Sequence, residues 1–215
     1  VRQRIAEASR KAGRVPADVT LVAVTKTVLW EQVEPWIAAG VVDCGENRVQ
    51  EALGKFATPE GSKKIAGRFH LIGPLQTNKA KKAVQFFDLI QSLDRLDLAK
   101  ELNRHAAAAG KIMPCLVEVK VSDEPSKAGL APEALREFLD AVRAFPHVAV
   151  QGLMGIPPAN AAGDAARPYF ARLRKLLETS GLKTLSMGMS SDFETAIEEG
   201  STMVRLGTVL FGARA

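Results

Sequence analysis

The stretch Val19-Thr20-Leu21-Val22-Ala23-Val24-Thr25-Lys26-Thr27 decides how this chain is read. Its short run of apolar and β-branched residues predicts a strand buried on both faces, the pattern of a parallel sheet covered by helices. Lys26 ends that run. An amine at a strand end either snorkels to solvent or reacts there, and burial or a neighbouring cation would lower its pKa toward the neutral, nucleophilic form.

Runs of the same kind recur at Val41 to Cys44, Phe69 to Ile72, Phe87 to Gln91, Cys115 to Val119, Ala149 to Met154, Thr184 to Met187 and Met203 to Leu206. Helical patterns separate them: Trp30 to Ala39 before Gly40, Asp94 to Ala109 before Gly110, and Pro132 to Phe145 before Pro146. An amphipathic helix is also predicted up to Ala12, stopped by Gly13 and lying outside or beneath the sheet. Eight strand-helix units predict an α/β fold, a single (β/α)8 TIM-type barrel with an extra N-terminal helix. No linker, low-complexity stretch or short-period repeat breaks the 215 residues, so one domain spanning 1–215 is expected.

Composition narrows the function classes. With 47% hydrophobic and 25% charged residues the chain reads as an ordinary globular protein. Its apolar runs are far too short to span a bilayer, and Val1-Arg2-Gln3-Arg4-Ile5-Ala6-Glu7 opens a helix rather than a signal peptide, which predicts a cytoplasmic protein without membrane association. Because the chain starts at Val1, further residues are expected before it. Cys44 and Cys115 read as reduced core thiols, and with three scattered histidines they offer no metal spacing. The net charge of +5 suits an anionic ligand. Lys79, Lys81 and Lys82, and Arg167, Arg172, Arg174 and Lys175, read as solvated helix faces; without interleaved aromatics, no nucleic-acid partner is expected.

In a TIM-type barrel the active site is built from the carboxyl ends of the strands and the loops after them. Lys26, Gly45-Glu46-Asn47, Gly73-Pro74, Ser92, Lys120, Gly155-Ile156-Pro157-Pro158, Gly188-Met189-Ser190-Ser191 and Gly207-Thr208 occupy those ends. The last two loops resemble a phosphate cradle. Ser191-Asp192-Phe193-Glu194 has the form of a capping box, which would place a helix N-terminus after the seventh strand, with Ser190 adding a hydroxyl and Gly207 and Thr208 a close backbone and a second hydroxyl. Arg205 is the remaining outlier: if Met203 and Arg205 face the barrel interior, a guanidinium sits in the mouth and needs an acceptor, either Glu46 or Glu118 or a ligand.

On these residues the chain resembles the pyridoxal phosphate homeostasis protein family, also called the proline synthetase co-transcribed homologues, with an alanine racemase N-terminal-domain-like barrel. The segments carrying the resemblance run from Leu21 to Thr27, Gly45 to Glu51, Phe69 to Lys79, Ser122 to Gly129, Gly152 to Met154, Leu185 to Ser190 and Val204 to Thr208. The resemblance implies pyridoxal 5'-phosphate as cofactor, held by Lys26 as an internal aldimine. It implies that Ser190, Gly207 and Thr208 hold the phosphate, that Arg205 faces the pyridine nitrogen, that Asn47 lies near the ring substituents, and that Ile72 and Met187 pack around the ring. His70 either joins them or is a satisfied core histidine. Arg48 stands where the family also carries an aromatic residue.

A permanent cation at the pyridine nitrogen disfavours its protonation and weakens the ring as an electron sink. Racemases of the related barrel recruit a second acid/base tyrosine from another domain and subunit, whereas Tyr169 here belongs to the helix before the seventh strand. The expected function is therefore a monomeric carrier that holds the cofactor as a Lys26 aldimine and supports vitamin B6 and amino-acid balance, with cofactor-dependent apoenzymes as recipients. The alternatives are a pyridoxal-phosphate-dependent racemase of low activity and a cofactor-free Schiff-base lyase acting on a sugar phosphate. Lys120 is a further candidate, as a transient acceptor of the cofactor aldehyde, against a plain solvent-facing lysine.

Overall fold

The computed structural model describes residues 1–57, 67–122 and 128–212. Eight parallel strands close into a barrel in sequence order: β1 Thr20–Val24, β2 Asp43–Glu46, β3 Arg68–Leu71, β4 Leu89–Leu93, β5 Met113–Glu118, β6 Val148–Met154, β7 Thr184–Ser186 and β8 Met203–Leu206. The closing pair sets Thr20 opposite Met203 and Ala23 opposite Leu206, so the sheet has no free edge. Around it lie α1 Arg2–Lys11, α2 Trp30–Ala38, α3 Val49–Phe56, α4 Ala80–Phe86, α5 Leu96–Ala108, α6 Leu135–Val142, α7 Arg167–Ser180, α8 Phe193–Glu198 and α9 Thr208–Phe211. This is the TIM-type (β/α)8 architecture that the strand count predicts.

Boundaries shift where a helix end claims the first residues of an apolar run. Val41 donates its N–H to Trp36 O and closes α2, so β2 begins at Asp43 rather than Val41. Likewise Phe87 donates to Ala83 O at the end of α4, and β4 begins at Leu89 rather than Phe87. Ser92, expected in a loop, consequently lies inside β4 with its hydroxyl buried and without a hydrogen-bond partner among the described residues. The helix expected from Pro132 starts as a 3-10 turn over Pro132–Ala134 and becomes α6 from Leu135.

Alternation along the strands separates two interiors. Outward residues such as Phe69, Leu71, Ile90 and Val117 pack beneath the helices, where Phe56, Phe69, Phe86 and Phe87 form a run of ring contacts 4.9 to 5.1 Å apart. Burying each such ring stabilises the fold by roughly 1.5–3 kcal/mol. Inward residues Val22, Leu116, Met154 and Met203 fill the barrel itself. The N-terminal helix lies outside: Ile5 and Ala8 cover Val204, Leu206 and Phe193, Arg4 sits 4.6 Å over the Phe193 ring, and Lys11 reaches Glu198 at 2.6 Å.

Cys44 and Cys115 are buried, free thiols, and burial pushes the Cys44 thiol up to about 12, so it stays protonated. Arg167, read as part of a solvated basic face, bonds Asp164, Glu198 and Glu199. Among the described residues no helix is long and apolar enough to cross a membrane.

Candidate functional site

Val22 lies in the barrel interior, and Lys26 follows two residues after Val24, in the turn at the carboxyl end of β1. The residues on either side of Lys26 are pinned. Thr25 donates its hydroxyl to Glu46 Oε1 at 2.7 Å, and its carbonyl accepts from Lys55 Nζ at 2.5 Å. Thr27 has φ 59°, a rare conformation for a β-branched residue, and its N–H donates to the Glu51 carboxylate. Between these anchors the half-buried Lys26 amine makes no hydrogen bond or ion pair with the described residues.

Arg205 is buried on the inward face of β8, as the alternation with Val204 and Leu206 predicts. Its Nη1 donates to Ser186 Oγ at 2.6 Å and its Nη2 to Gly155 O at 3.1 Å. Neither carboxylate expected as its acceptor takes it. Glu46 points the other way, between β2 and α3, where Lys55 Nζ donates to it at 2.8 Å. Glu118 and Asp192 act on Arg205 only through their longer-range charge, while burial lowers the guanidinium to about 10, leaving it cationic at neutral pH. Burial, then the charge of Asp94, raises the Glu118 carboxyl to about 7, with Arg205 opposing.

Ser190 sits between the last two loops, its Oγ accepting from Gly207 N at 3.3 Å and Val209 N at 3.2 Å. Gly207 and Thr208 lead from β8 into α9, with Thr208 exposed. The expected capping box is absent. Asp192, not Ser191, stands before α8 and accepts from Met189 N at 2.6 Å, and Glu194 turns outward to Arg4. Asp192 thus spends its carboxylate on the turn before the helix, and no side chain caps α8.

Asn47 and Ile72 follow β2 and β3, with Gly73 packed against them: a Cβ there would lie 2.5 Å from Asn47 O. Asn47, Arg48 and Lys79 line a rim cleft of about 560 Å³. Met187 is not brought to the mouth. It follows inward-facing Ser186, so alternation turns it to the outer core, where it is fully buried. His70 is a core histidine, hydrogen-bonded through both ring nitrogens to Asp43 and Gln91 at 2.9 Å. Lys120 and Glu118 line a small cleft of about 170 Å³ with Ile156. Tyr169 packs on the outer core from α7. Of the segment 122–129 that carries part of the resemblance, residues 123–127 lie outside the described residues.

Gln91 and Ser186 are the site residues that sequence reasoning misses. Gln91 stands there only as the end of a strand and Ser186 only within a matching segment, although a glutamine inside an apolar run is itself a signal of an inward polar position.

The family model described as alanine racemase, N-terminal domain, matches residues 1–215. The chain is 46% identical to the pyridoxal phosphate homeostasis protein of Pseudomonas aeruginosa over 216 residues, covering 100% of this chain and 93% of that one. It is 43% identical to the protein of the same name from Aquifex aeolicus, covering 100% and 95%. Among solved structures, PipY of Synechococcus elongatus PCC7942 with pyridoxal phosphate bound superposes with a TM-score of 0.83 at 37% identity, covering 97% of this chain and 100% of that one. Full-length identity at this level, together with the family-model match, places the chain in a family: it belongs to the pyridoxal phosphate homeostasis proteins and carries the alanine racemase N-terminal-domain barrel.

Proposed function

We propose that this protein binds pyridoxal 5'-phosphate and holds it covalently through Lys26, as a carrier that buffers the cofactor for the cell's apoenzymes rather than as a substantial catalyst. The observation that carries the proposal is the uncommitted Lys26 amine, held between two pinned threonines at the mouth of the barrel. A primary amine of this kind condenses with an aldehyde, releasing water and forming a C=N bond.

The other residues fit the cofactor as well. Arg205 is a buried cation without an ion-pair partner among the described residues, and a cation facing the pyridine nitrogen keeps that nitrogen unprotonated. Ser190 and Thr208 bring hydroxyls to one corner of the mouth, where the Gly207 and Val209 amides donate to Ser190 Oγ and leave its own proton free to donate, a set suited to phosphate. Asn47 and Ile72 form the opposite rim, and the outer-core position of Met187 leaves it a packing role. When bound, the cofactor supplies an aldehyde and an electron-withdrawing ring; the Arg205 cation limits the second property. A single 1–215 domain acting as a cytoplasmic monomer completes the proposal.

The test is the visible absorption of the purified protein and of Lys26→Ala, each loaded with pyridoxal phosphate and gel-filtered. A band retained by the parent alone supports covalent retention at Lys26. Loss from both would overturn the cofactor assignment and favour the sugar-phosphate lyase, checked by borohydride trapping of a sugar phosphate.

A slow racemase is the second reading, and Glu118 favours it: a carboxyl raised to about 7 at the mouth would serve as an acid/base partner for Lys26. Solvent deuterium entering the α position of an amino acid, with loss of this exchange in Glu118→Gln, would replace the carrier by the enzyme.

A further inference from the structure

Five polar side chains from five strands join across the barrel interior. Asp43 on β2, His70 on β3, Gln91 on β4, Ser186 on β7 and Arg205 on β8 are all buried. Consecutive members lie 2.9, 2.9, 2.6 and 2.6 Å apart.

Chemistry fixes the direction of every bond in this chain. Burial acts to raise the Asp43 carboxyl, but hydrogen bonds from His70 and Arg68 outweigh it and hold the group below its ordinary value, so Asp43 is ionised and accepts only. His70 Nε2 therefore donates to Asp43, and its Nδ1 is free to accept from Gln91 Nε2. The remaining Gln91 atom, Oε1, takes the single Ser186 hydroxyl proton. Ser186 then presents only lone pairs to Arg205 Nη1. Each donor points toward the carboxylate on the barrel floor, an arrangement in which successive bonds polarise one another.

We propose that Ser186 and Gln91 are positioning residues for Arg205, anchoring its guanidinium to a remote counter-ion, Asp43, and so fixing the face it turns toward the ring nitrogen of bound pyridoxal phosphate. This rests on the cofactor assignment above and deepens it. A carboxylate in direct contact would orient Arg205 but cancel its charge. A hydroxyl locked as an acceptor, with Gly155 O as a second point, orients it and leaves the positive field directed at the mouth. The other charges facing Arg205, Glu118 and Asp192, make no ion pair with it.

The test compares the parent with Ser186→Ala, Gln91→Met and the hydroxyl-keeping Ser186→Thr, at matched thermal stability. In loaded protein, Ser186→Ala and Gln91→Met are expected to weaken cofactor retention about ten-fold and to move the wavelength of its visible band, with Ser186→Thr near the parent. In cofactor-free protein, NMR of the Arg205 guanidinium is expected to show slowly exchanging Nη protons in the parent and Ser186→Thr that are lost in Ser186→Ala. The proposal is overturned if Ser186→Ala keeps the parent's retention, band and NMR signals, or if Ser186→Thr is as impaired as Ser186→Ala. Slow Nη protons in a parent that retains no cofactor would overturn the cofactor assignment, and the positioning role with it, while leaving the chain itself intact.

Discussion

Lys55 Nζ lies 2.8 Å from Glu46 Oε1 beneath Thr25, with the glutamate side chain fully buried and the lysine 10% exposed. The second oxygen, Glu46 Oε2, has no hydrogen-bond partner among the described residues, so the carboxylate depends on Lys55 and Thr25 to remain charged in a site that burial otherwise makes unfavourable. The pair belongs to the outer layer, yet it fixes the backbone immediately before Lys26.

Removing the cation should therefore hurt more than neutralising the anion. Lys55→Met strands a buried carboxylate and is expected to cost about 3–5 kcal/mol. Glu46→Gln keeps an acceptor for Thr25 and is expected to cost about 1 kcal/mol. Urea unfolding of both variants measures the order, and equal losses would show that the pair does not act as described.

Glu118 gives stability a pH dependence with a definite sign. Its carboxyl titrates at about 7 in the folded protein and returns to an ordinary value of about 4.3 on unfolding. Between these values the native state binds the proton more tightly, so this contribution is complete below the unfolded value and is lost as pH rises through the folded one. A loss of about 3 kcal/mol between pH 4.5 and 8 is expected. Denaturant titrations across that range should show Glu118→Gln with a flatter profile than the parent.

Ser190 offers a way to separate the phosphate from the rest of the cofactor. Ser190→Ala deletes a hydroxyl that touches two backbone amides through long bonds, so the fold should change little. Affinity for pyridoxal phosphate is expected to fall about ten-fold while affinity for pyridoxal stays the same. Parallel titrations with the two compounds supply the comparison, and an equal effect on both would remove Ser190 from the phosphate corner.

Two glycines should respond in opposite directions to the same substitution. A Cβ on Gly152 would lie 1.9 Å from Thr184 O, where β6 and β7 approach, so Gly152→Ala should cost at least about 2 kcal/mol. A Cβ on Gly54, inside α3, would meet nothing within 4 Å, and Gly54→Ala should stabilise by about 0.5–1 kcal/mol. Thermal melts of the two variants check both signs.

Most of the barrel is legible in the sequence because a strand buried on both faces writes itself as a compact apolar run. Met203–Leu206 has the same ends in sequence and structure, and each of the eight runs forms a strand. The errors at Val41 and Phe87 share a cause, since a helix C-terminus and a strand beginning are both apolar and only the hydrogen bonds divide them. At the candidate site, Lys26 and Arg205 stand out as charges in apolar surroundings. The resemblance implies a place at the ring for Met187; in the structure its neighbour Ser186 takes the inward position and Met187 packs in the outer core.

The order and number of the strands, the position of Lys26 just beyond the first of them, and the inward face of β8 that holds Arg205 are all written in the chain, because alternation is a local property of extended backbone. Which inward residues meet is not written there. The link from Asp43 through His70, Gln91 and Ser186 to Arg205 joins strands that are distant in sequence, and the irregular register between Ile90 and Leu93 resets the alternation of β4 in between. Barrel closure and stagger set those meetings in three dimensions, and they depend on all the strands at once.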